Sequence, residues 1–255
     1  MKPKIFLLVL LFPLLALGQT QTTKDVNVQT QSWFALNTTF RLDENWSILA
    51  DAQMRRSQFL SQNNFNIVRT GLAYDILPGF ATALGYAHLW VAPSNSAWST
   101  IANENRIYQQ ALYSTKLGNV TLVHRLRNEQ RWQDIIVNDQ KTGDLRFTNR
   151  VRYQLGCTIP LSKKASVPSI VVSDEILFQF GKDVVYNTFD QNRIFVGIRQ
   201  ALSPTWSYDF GYMQVYQQKS SGFQYDQNHT LRLFFYYNKG LRKKEMPPNH
   251  SSGDE

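Results

Sequence analysis

LRFTNRVRYQLGCTI, residues 145–159, decides the fold. Leu145, Phe147, Val151, Tyr153, Leu155, Cys157 and Ile159 take alternate positions, and Arg146, Thr148, Arg150, Arg152, Gln154 and Thr158 fall between them. Successive side chains of a strand point to opposite faces, so this segment is a strand with one apolar face and one face rich in arginine. Period two recurs at 27–40, 45–54, 67–77, 80–90, 104–117, 120–132, 170–180, 191–202, 205–217 and 227–237. With residues 145–159 that makes about eleven strands, and helical periodicity is absent throughout.

Short breakers separate these runs: residues 42–45, Pro78-Gly79, Gly118-Asn119 and Ser203-Pro204. They alternate with longer polar stretches near 55–66, 91–103, 133–143, 181–190 and 218–226. Tight turns at one end and longer loops at the other predict an all-β, antiparallel, up-and-down transmembrane β-barrel, with its short turns periplasmic and its loops external. The connection 160–168 is longer and basic and departs from the pattern. Bacterial single-chain barrels normally use an even number of strands. The expectation is therefore 10 to 12, with a short extra strand between residues 19 and 29 as one route to an even count.

The amino end has Lys2 and Lys4, an apolar run over 5–17, and the small residues Ala16 and Gly18. The run falls short of the roughly 20 residues a spanning helix needs, which predicts a cleaved secretory signal over 1–18. The barrel then occupies 19–240, and 241–255, with Arg242, Lys243, Lys244 and two prolines, is expected to be a disordered basic tail. A mean hydropathy of −0.35 is too polar for a helical membrane protein. It suits a barrel, where only alternate residues meet lipid. The formal charge of +8 would ordinarily suggest nucleic acid. Here the arginines lie at alternate strand positions instead of in a cluster, so no nucleic-acid partner is expected. Cys157 is the only cysteine, which excludes an intramolecular disulfide and cysteine-based metal or redox motifs.

Alternation alone fits a soluble secreted β-sandwich as well as a barrel. Aromatic placement favours the membrane. Trp46 and Met54, Phe80 and Trp90, Val120 and Trp132, and Trp206 and Tyr216 mark the ends of the apolar register. About ten residues at roughly 3.3 Å each, tilted about 40°, cover about 25 Å, the height of an outer-membrane apolar band. Trp46, Phe80, Trp90, Trp132, Trp206 and Tyr216 are accordingly the candidate aromatic girdle.

Several stretches together carry a family resemblance. They are Gln31-Ser32-Trp33, Trp46-Ser47-Ile48, the run Arg69 through Tyr74, Gly85-Tyr86, His124-Arg125-Leu126-Arg127-Asn128-Glu129-Gln130-Arg131, Asp190-Gln191-Asn192-Arg193, Gly211-Tyr212-Met213 and Asn228-His229. The chain resembles a family of uncharacterised Gram-negative outer-membrane barrels, domain of unknown function 2490. The Arg-x-Arg-x-Glu-x-Arg row is its most specific element. The resemblance implies fold and an outer-membrane location, and it carries no activity.

The charged register comprises Arg69, Glu104, Arg106, Arg125, Arg127, Glu129, Arg131, Arg146, Arg150, Arg152, Glu175, Arg193, Arg199 and Arg232. Ions inside a narrow barrel must be hydrated or paired. The set is therefore read as an Arg–Glu ladder that ties strands together and fills the lumen, since arginine's fork bridges carboxylates on neighbouring strands. Eleven arginines against three glutamates also suit a narrow anion-favouring passage. A lipid-modifying enzyme is the alternative, with His88, His124 or His229 on the lipid-facing register. Two residues along their strands stand Trp90, Leu126 and Leu231, none of them a nucleophile. The chain is thus expected to be non-enzymatic, without metal or cofactor. Its expected partners are outer-membrane lipid, the barrel-assembly machinery and a small anionic solute.

Overall fold

The computed structural model describes residues 23–240 apart from 94 and 165. The expected signal, 1–18, and the expected tail, 241–255, lie outside the described residues. Eleven strands follow in order: β1 (Asp25–Arg41), β2 (Trp46–Ser57), β3 (Gln62–Leu77), β4 (Phe80–Val91), β5 (Ala102–Leu117), β6 (Val120–Val137), β7 (Gln140–Pro160), β8 (Ser169–Phe180), β9 (Phe189–Ala201), β10 (Trp206–Gln218) and β11 (Gln224–Gly240). Each pairs with its sequence neighbours, and β1 pairs with β11, so a single sheet closes on itself. The sandwich alternative is thereby corrected, since among the described residues there is one closed sheet and no second to pack against it.

Ten of the pairings are antiparallel, while β1 and β11 run parallel. The odd count needs no hidden strand: an up-and-down sheet of odd number brings its first and last strands together in the same direction. As a consequence, β1 begins at the end of the barrel where β11 begins, and the chain leaves β11 at the opposite end.

The register gives the strand tilt. One circuit of directly paired residues runs Arg41, Ser47, Ala73, Ala83, Gln110, Arg127, Arg152, Leu177, Gln191, Gln217, Asp226 and back to Asn27. The return is displaced by 14 residues (41 − 27) on β1. Fourteen residues at about 3.3 Å against eleven strands about 4.8 Å apart set a tilt of about 40°. All twelve residues of the circuit share the inward face.

Two glycine contacts show how closely strands and core approach. A Cβ added at Gly85 would lie 2.3 Å from Tyr108 Cζ and 2.4 Å from the Thr70 carbonyl. One at Gly211 would lie 2.3 Å from the Val196 carbonyl and 3.0 Å from Phe195 Cε2. Tyr108 and Phe195 therefore fold down over bare backbone and fill the narrow interior that the glycines open.

The connections differ from the sequence reading in length. Strands continue past the points where alternation fades, so β2 and β3 are joined by 58–61 and β6 and β7 only by Asn138 and Asp139. Both of those turn residues have positive φ, 51° and 60°, as a two-residue hairpin requires. Residues 92–101, 181–188 and 219–223 complete that end, against 42–45, 78–79, 118–119, 161–168 and 202–205 at the other. The contrast in loop length is smaller than expected. Backbone pairing persists beyond the apolar band, where the outer side chains no longer need to be greasy.

The outward face is a broad apolar belt. Ile48, Val68, Leu72, Leu84, Ile107, Leu126, Leu155, Val196, Ile198 and Phe210 are all exposed on it. A belt of this extent far exceeds the few hundred Å² usual on a water-facing monomer. It is interrupted on β5 and β6 by Gln109, Asn128 and Gln130, whose amides bond one another across the strand pair at 3.1 Å.

Candidate functional site

The inward face carries ions at a density that only pairing makes tolerable. Glu129 of β6 accepts from Arg150 Nε at 2.9 Å and Nη2 at 2.5 Å and from Arg152 Nη1 at 2.8 Å, with Arg106 Nη1 at 3.5 Å and Arg127 Nη1 at 4.0 Å. Glu175 of β8 accepts from Arg125 Nη2 at 2.7 Å, Arg152 Nε at 2.9 Å and Arg193 Nη1 at 3.0 Å. Glu104 of β5 holds Arg106 at 2.6 Å and Arg131 at 2.7 Å. Arg152 thus links two carboxylates, and the network runs from β5 to β9. Two bonds cross over an intervening strand: Arg125 to Glu175 passes β7, and Arg150 Nη1 to Asp190 at 3.0 Å passes β8.

A second set closes the remaining wall. Asp209 of β10 is fully buried and receives Arg199 Nε and Nη2, both at 2.7 Å, the Tyr236 hydroxyl at 3.2 Å and Arg232 Nη2 at 3.5 Å. Asp51 and Arg69 pair across β2 and β3. Trp33, Phe195, Met213, Val215, Phe234 and Tyr236 pack as an apolar cluster beside these ions, and Arg232 lies over the rings of Phe195 and Phe234 at 4.0 and 4.2 Å. At this depth the interior is filled by side chains.

Toward the end bearing the β2–β3 and β10–β11 connections the lumen widens into a cavity of about 1240 Å³. One wall carries Phe65, Ile67, Leu89 and Val91, and the floor and far wall carry Arg106, Arg131, Arg150, Arg152 and Arg193. Arg55 of β2 also lines it. Its guanidinium stacks on Trp33, Cζ to ring centroid 3.4 Å, and on Phe65 at 4.5 Å, while Nη2 donates to Gln53 Oε1 at 3.1 Å.

Of the residues marked from sequence, Arg69, Glu104, Arg106, Arg125, Arg127, Glu129, Arg150, Arg152, Glu175, Arg193 and Arg232 are buried inside the barrel. Arg131 and Arg199 are half-buried there. Arg146 is exposed at the cavity rim and bonds Gln133 at 2.8 Å, so it stands outside the ion-pair ladder. Sequence reasoning missed Arg55, which it placed in a loop, and the partners Asp51, Asp190 and Asp209. Register would have found Arg55, Asp51 and Asp209, since Asp51, Gln53 and Arg55 continue the inward positions of β2 and Asp209 stands two residues before the inward Gly211. It would not have found Asp190, which neighbours the inward Gln191 and is buried where the β8–β9 register shifts. With these three aspartates the arginine excess is smaller than eleven against three.

The aromatic set faces outward. Trp46 stacks near Tyr74 at 4.7 Å and Trp206 near Tyr237 at 4.8 Å at one end, with Phe80 beside them in the same register. Trp132 lies against Phe147 at 5.4 Å and Tyr216 on Tyr225 at 5.0 Å at the other, and Trp90 lies against His88 at 4.5 Å. His88 Nδ1 pairs with Asn105 Oδ1 at 2.8 Å, His124 Nδ1 with the Tyr153 hydroxyl at 2.8 Å, and His229 Nδ1 with the Tyr212 hydroxyl at 2.5 Å. Among the described residues none of the three is bonded to a serine or threonine hydroxyl.

Outside the strands' apolar band, Asp139 ties two connections together. Its carboxylate accepts the backbone N–H of Thr100 at 2.7 Å and of Ser99 at 2.9 Å, which holds its pKa below the usual aspartate value. Among the described residues no cluster of side chains has the makings of a metal site.

The model of a family described as "Protein of unknown function (DUF2490)" matches residues 30–228, nearly the whole barrel. No curated protein and no solved structure matches the chain.

Proposed function

We infer the role of this chain, which belongs to the DUF2490 family of proteins of unknown function, from its lumen. It is a non-enzymatic barrel of the Gram-negative outer membrane, exported by a cleaved signal. It favours small anions and holds its passage shut at mid-depth. The observation that carries this reading is the joining of Glu129 and Glu175 to arginines of β5, β6, β7 and β9, directly beneath a cavity whose floor is arginine-lined. Fixed positive charge at the mouth of a wet cavity concentrates anions, whereas a side-chain-filled interior blocks free flow. The outward belt and its aromatic ends support insertion in lipid. Against the lipid-modifying alternative, none of the three outward histidines is bonded to a serine or threonine hydroxyl among the described residues.

The test is planar-bilayer conductance of refolded protein lacking residues 1–18, under a salt gradient. Insertion is checked independently by a heat-dependent shift in gel mobility. Brief, rare, anion-selective steps are expected from the wild type. Steady conductance or cation selectivity would overturn the reading. So would fractionation of the native protein with the soluble periplasm.

A further inference from the structure

Arg55 differs from every other buried arginine of the lumen. Arg69, Arg106, Arg125, Arg127, Arg150, Arg152, Arg193 and Arg232 each have a carboxylate within 4.0 Å. Among the described residues no carboxylate stands within that distance of Arg55, although its residue exposure is only 6%. Its Nε is buried without a hydrogen-bond partner. A buried, unpaired cation is costly, and the faces of Trp33 and Phe65 offset only part of that cost.

The surroundings are built to hold this group in place. Trp33 Nε1 donates to Gln31 Oε1 at 2.9 Å, and Gln31 Nε2 donates to Asn228 Oδ1 at 2.9 Å, so the ring beneath Arg55 is fixed. Arg193 lies over the same ring at 5.2 Å, already occupied by Glu175. Phe65, Ile67, Leu89 and Val91 form an apolar wall of the cavity Arg55 lines. A bare inorganic anion has no use for that wall, and an uncharged apolar molecule would leave the cation unmet.

We propose that the cavity is a recognition site for organic anions with an apolar body, such as aryl or alkyl carboxylates. The acid group bonds Arg55 and the body lies along Phe65, Ile67 and Leu89. This deepens, and rests on, the reading of the barrel as one that favours anions. The guanidinium keeps its stack on Trp33 and turns its free N–H groups to the carboxylate, a charge-assisted pairing that Lys would make with a point charge only.

The experiment is binding of benzoate to the folded barrel in lipid nanodiscs by calorimetry, with benzyl alcohol and inorganic phosphate as the uncharged and the charge-only probes. Benzoate is expected to bind at least tenfold more tightly than either. Arg55→Met should weaken it at least tenfold and Arg55→Lys by less. If Arg55→Met fails to reach the folded gel position, Arg55→Gln carries the same comparison. Equal benzoate affinity in wild type and variant would overturn the proposal, and phosphate binding as tight as benzoate would too. Unchanged binding in the variant alongside anion-selective steps sinks this site alone. Lost binding in the variant with a cation-selective barrel sinks the passage and leaves the site standing.

Discussion

Replacing Glu175 by Gln removes one negative charge while keeping the side chain's shape, and it does so where three arginines converge. Arg125, Arg152 and Arg193 reach it from β6, β7 and β9 at 2.7 to 3.0 Å. At an effective dielectric of about 20, a pair of unit charges 4 Å apart interacts by about 4 kcal/mol. Three such terms are opposed by the carboxylate's own desolvation, several kcal/mol, and by repulsion among the arginines themselves. In the variant the repulsion stays and the attraction goes. Arg152 retains Glu129, but Arg193 has no second carboxylate within 4.0 Å among the described residues. Breaking a buried pair by removing one partner typically costs about 3–5 kcal/mol, and that is the loss expected here.

Guanidinium unfolding in lipid vesicles, followed by tryptophan fluorescence and gel mobility under conditions where folding is reversible, measures it. The same variant should lengthen and multiply anion-selective steps in bilayers, because Arg125, Arg152 and Arg193 are no longer drawn together onto a carboxylate of β8. A second change, Arg193→Met, removes part of the excess charge and should restore stability in part. If Glu175→Gln unfolds within about 0.5 kcal/mol of the wild type, the range usual for ordinary surface substitutions, the lumen ions are hydrated and screened. The argument for a shut passage then fails with them.

Gly85→Val forces a side chain into the space held by Tyr108 and the Thr70 carbonyl, and should cost about 1–3 kcal/mol in the same unfolding assay. Gly118→Ala, which meets nothing within 4 Å but sits at φ +61°, should cost less and only through backbone strain. The Asp139 bonds to Ser99 and Thr100 come from a carboxylate whose folded pKa is depressed, so their contribution is present above the unfolded value of about 4 and is lost as pH falls through the lower folded one. Hydrogen exchange at those two amides should therefore quicken, relative to the strands, only below about pH 4, and in Asp139→Ala, which has no acceptor, it should be fast at every pH. Gln109→Leu, Asn128→Leu and Gln130→Leu together remove a mutually bonded set of amides from the outward apolar belt and should stabilise the barrel in vesicles, or at least leave it unharmed. A loss exceeding about 1 kcal/mol would mean that the amides face something other than lipid.

Period two was enough to place all eleven strands, because every strand in the band has one face against the charged interior and the other exposed and apolar. The reading failed where that contrast ends. Arg55 and Arg56 are consecutive, so the outward position no longer shows as greasy. The register also shifts there against β3, and the inward arginine was lost into a supposed loop. The same fading hid β6 beyond Trp132 and the start of β7 before Leu145. The ladder's arginines were visible as alternate charges on β6 and β7, but its aspartates were not. Asp51 lies among Ala50, Ala52 and Gln53, and Asp209 between Tyr208 and Phe210, each a single charge with no charged neighbour two residues away. Which acid meets which arginine depends on the offset of 14 around the barrel, and no local pattern carries that number.

The parallel seam is where closure and the cavity meet. Parallel pairing is slightly weaker per residue than antiparallel, and β1–β11 is the parallel pairing of this sheet. Trp33 sits on that seam, directly paired with Arg232, and beneath its ring the chain Gln31–Asn228 crosses from β1 to β11. Arg55 joins from β2 and Arg193 from β9. An anion held by Arg55 over Trp33 therefore stabilises contacts on both sides of the barrel's parallel seam. A ligand that binds only the folded state at a concentration 100 times its Kd stabilises by about 2.7 kcal/mol. If the seam opens first, that gain should show as slower exchange of the β1 and β11 amides before it shows in β5 to β8. Uniform protection around the barrel would place the ligand away from Arg55, and no protection at a saturating benzoate concentration would leave the seam and the site unconnected.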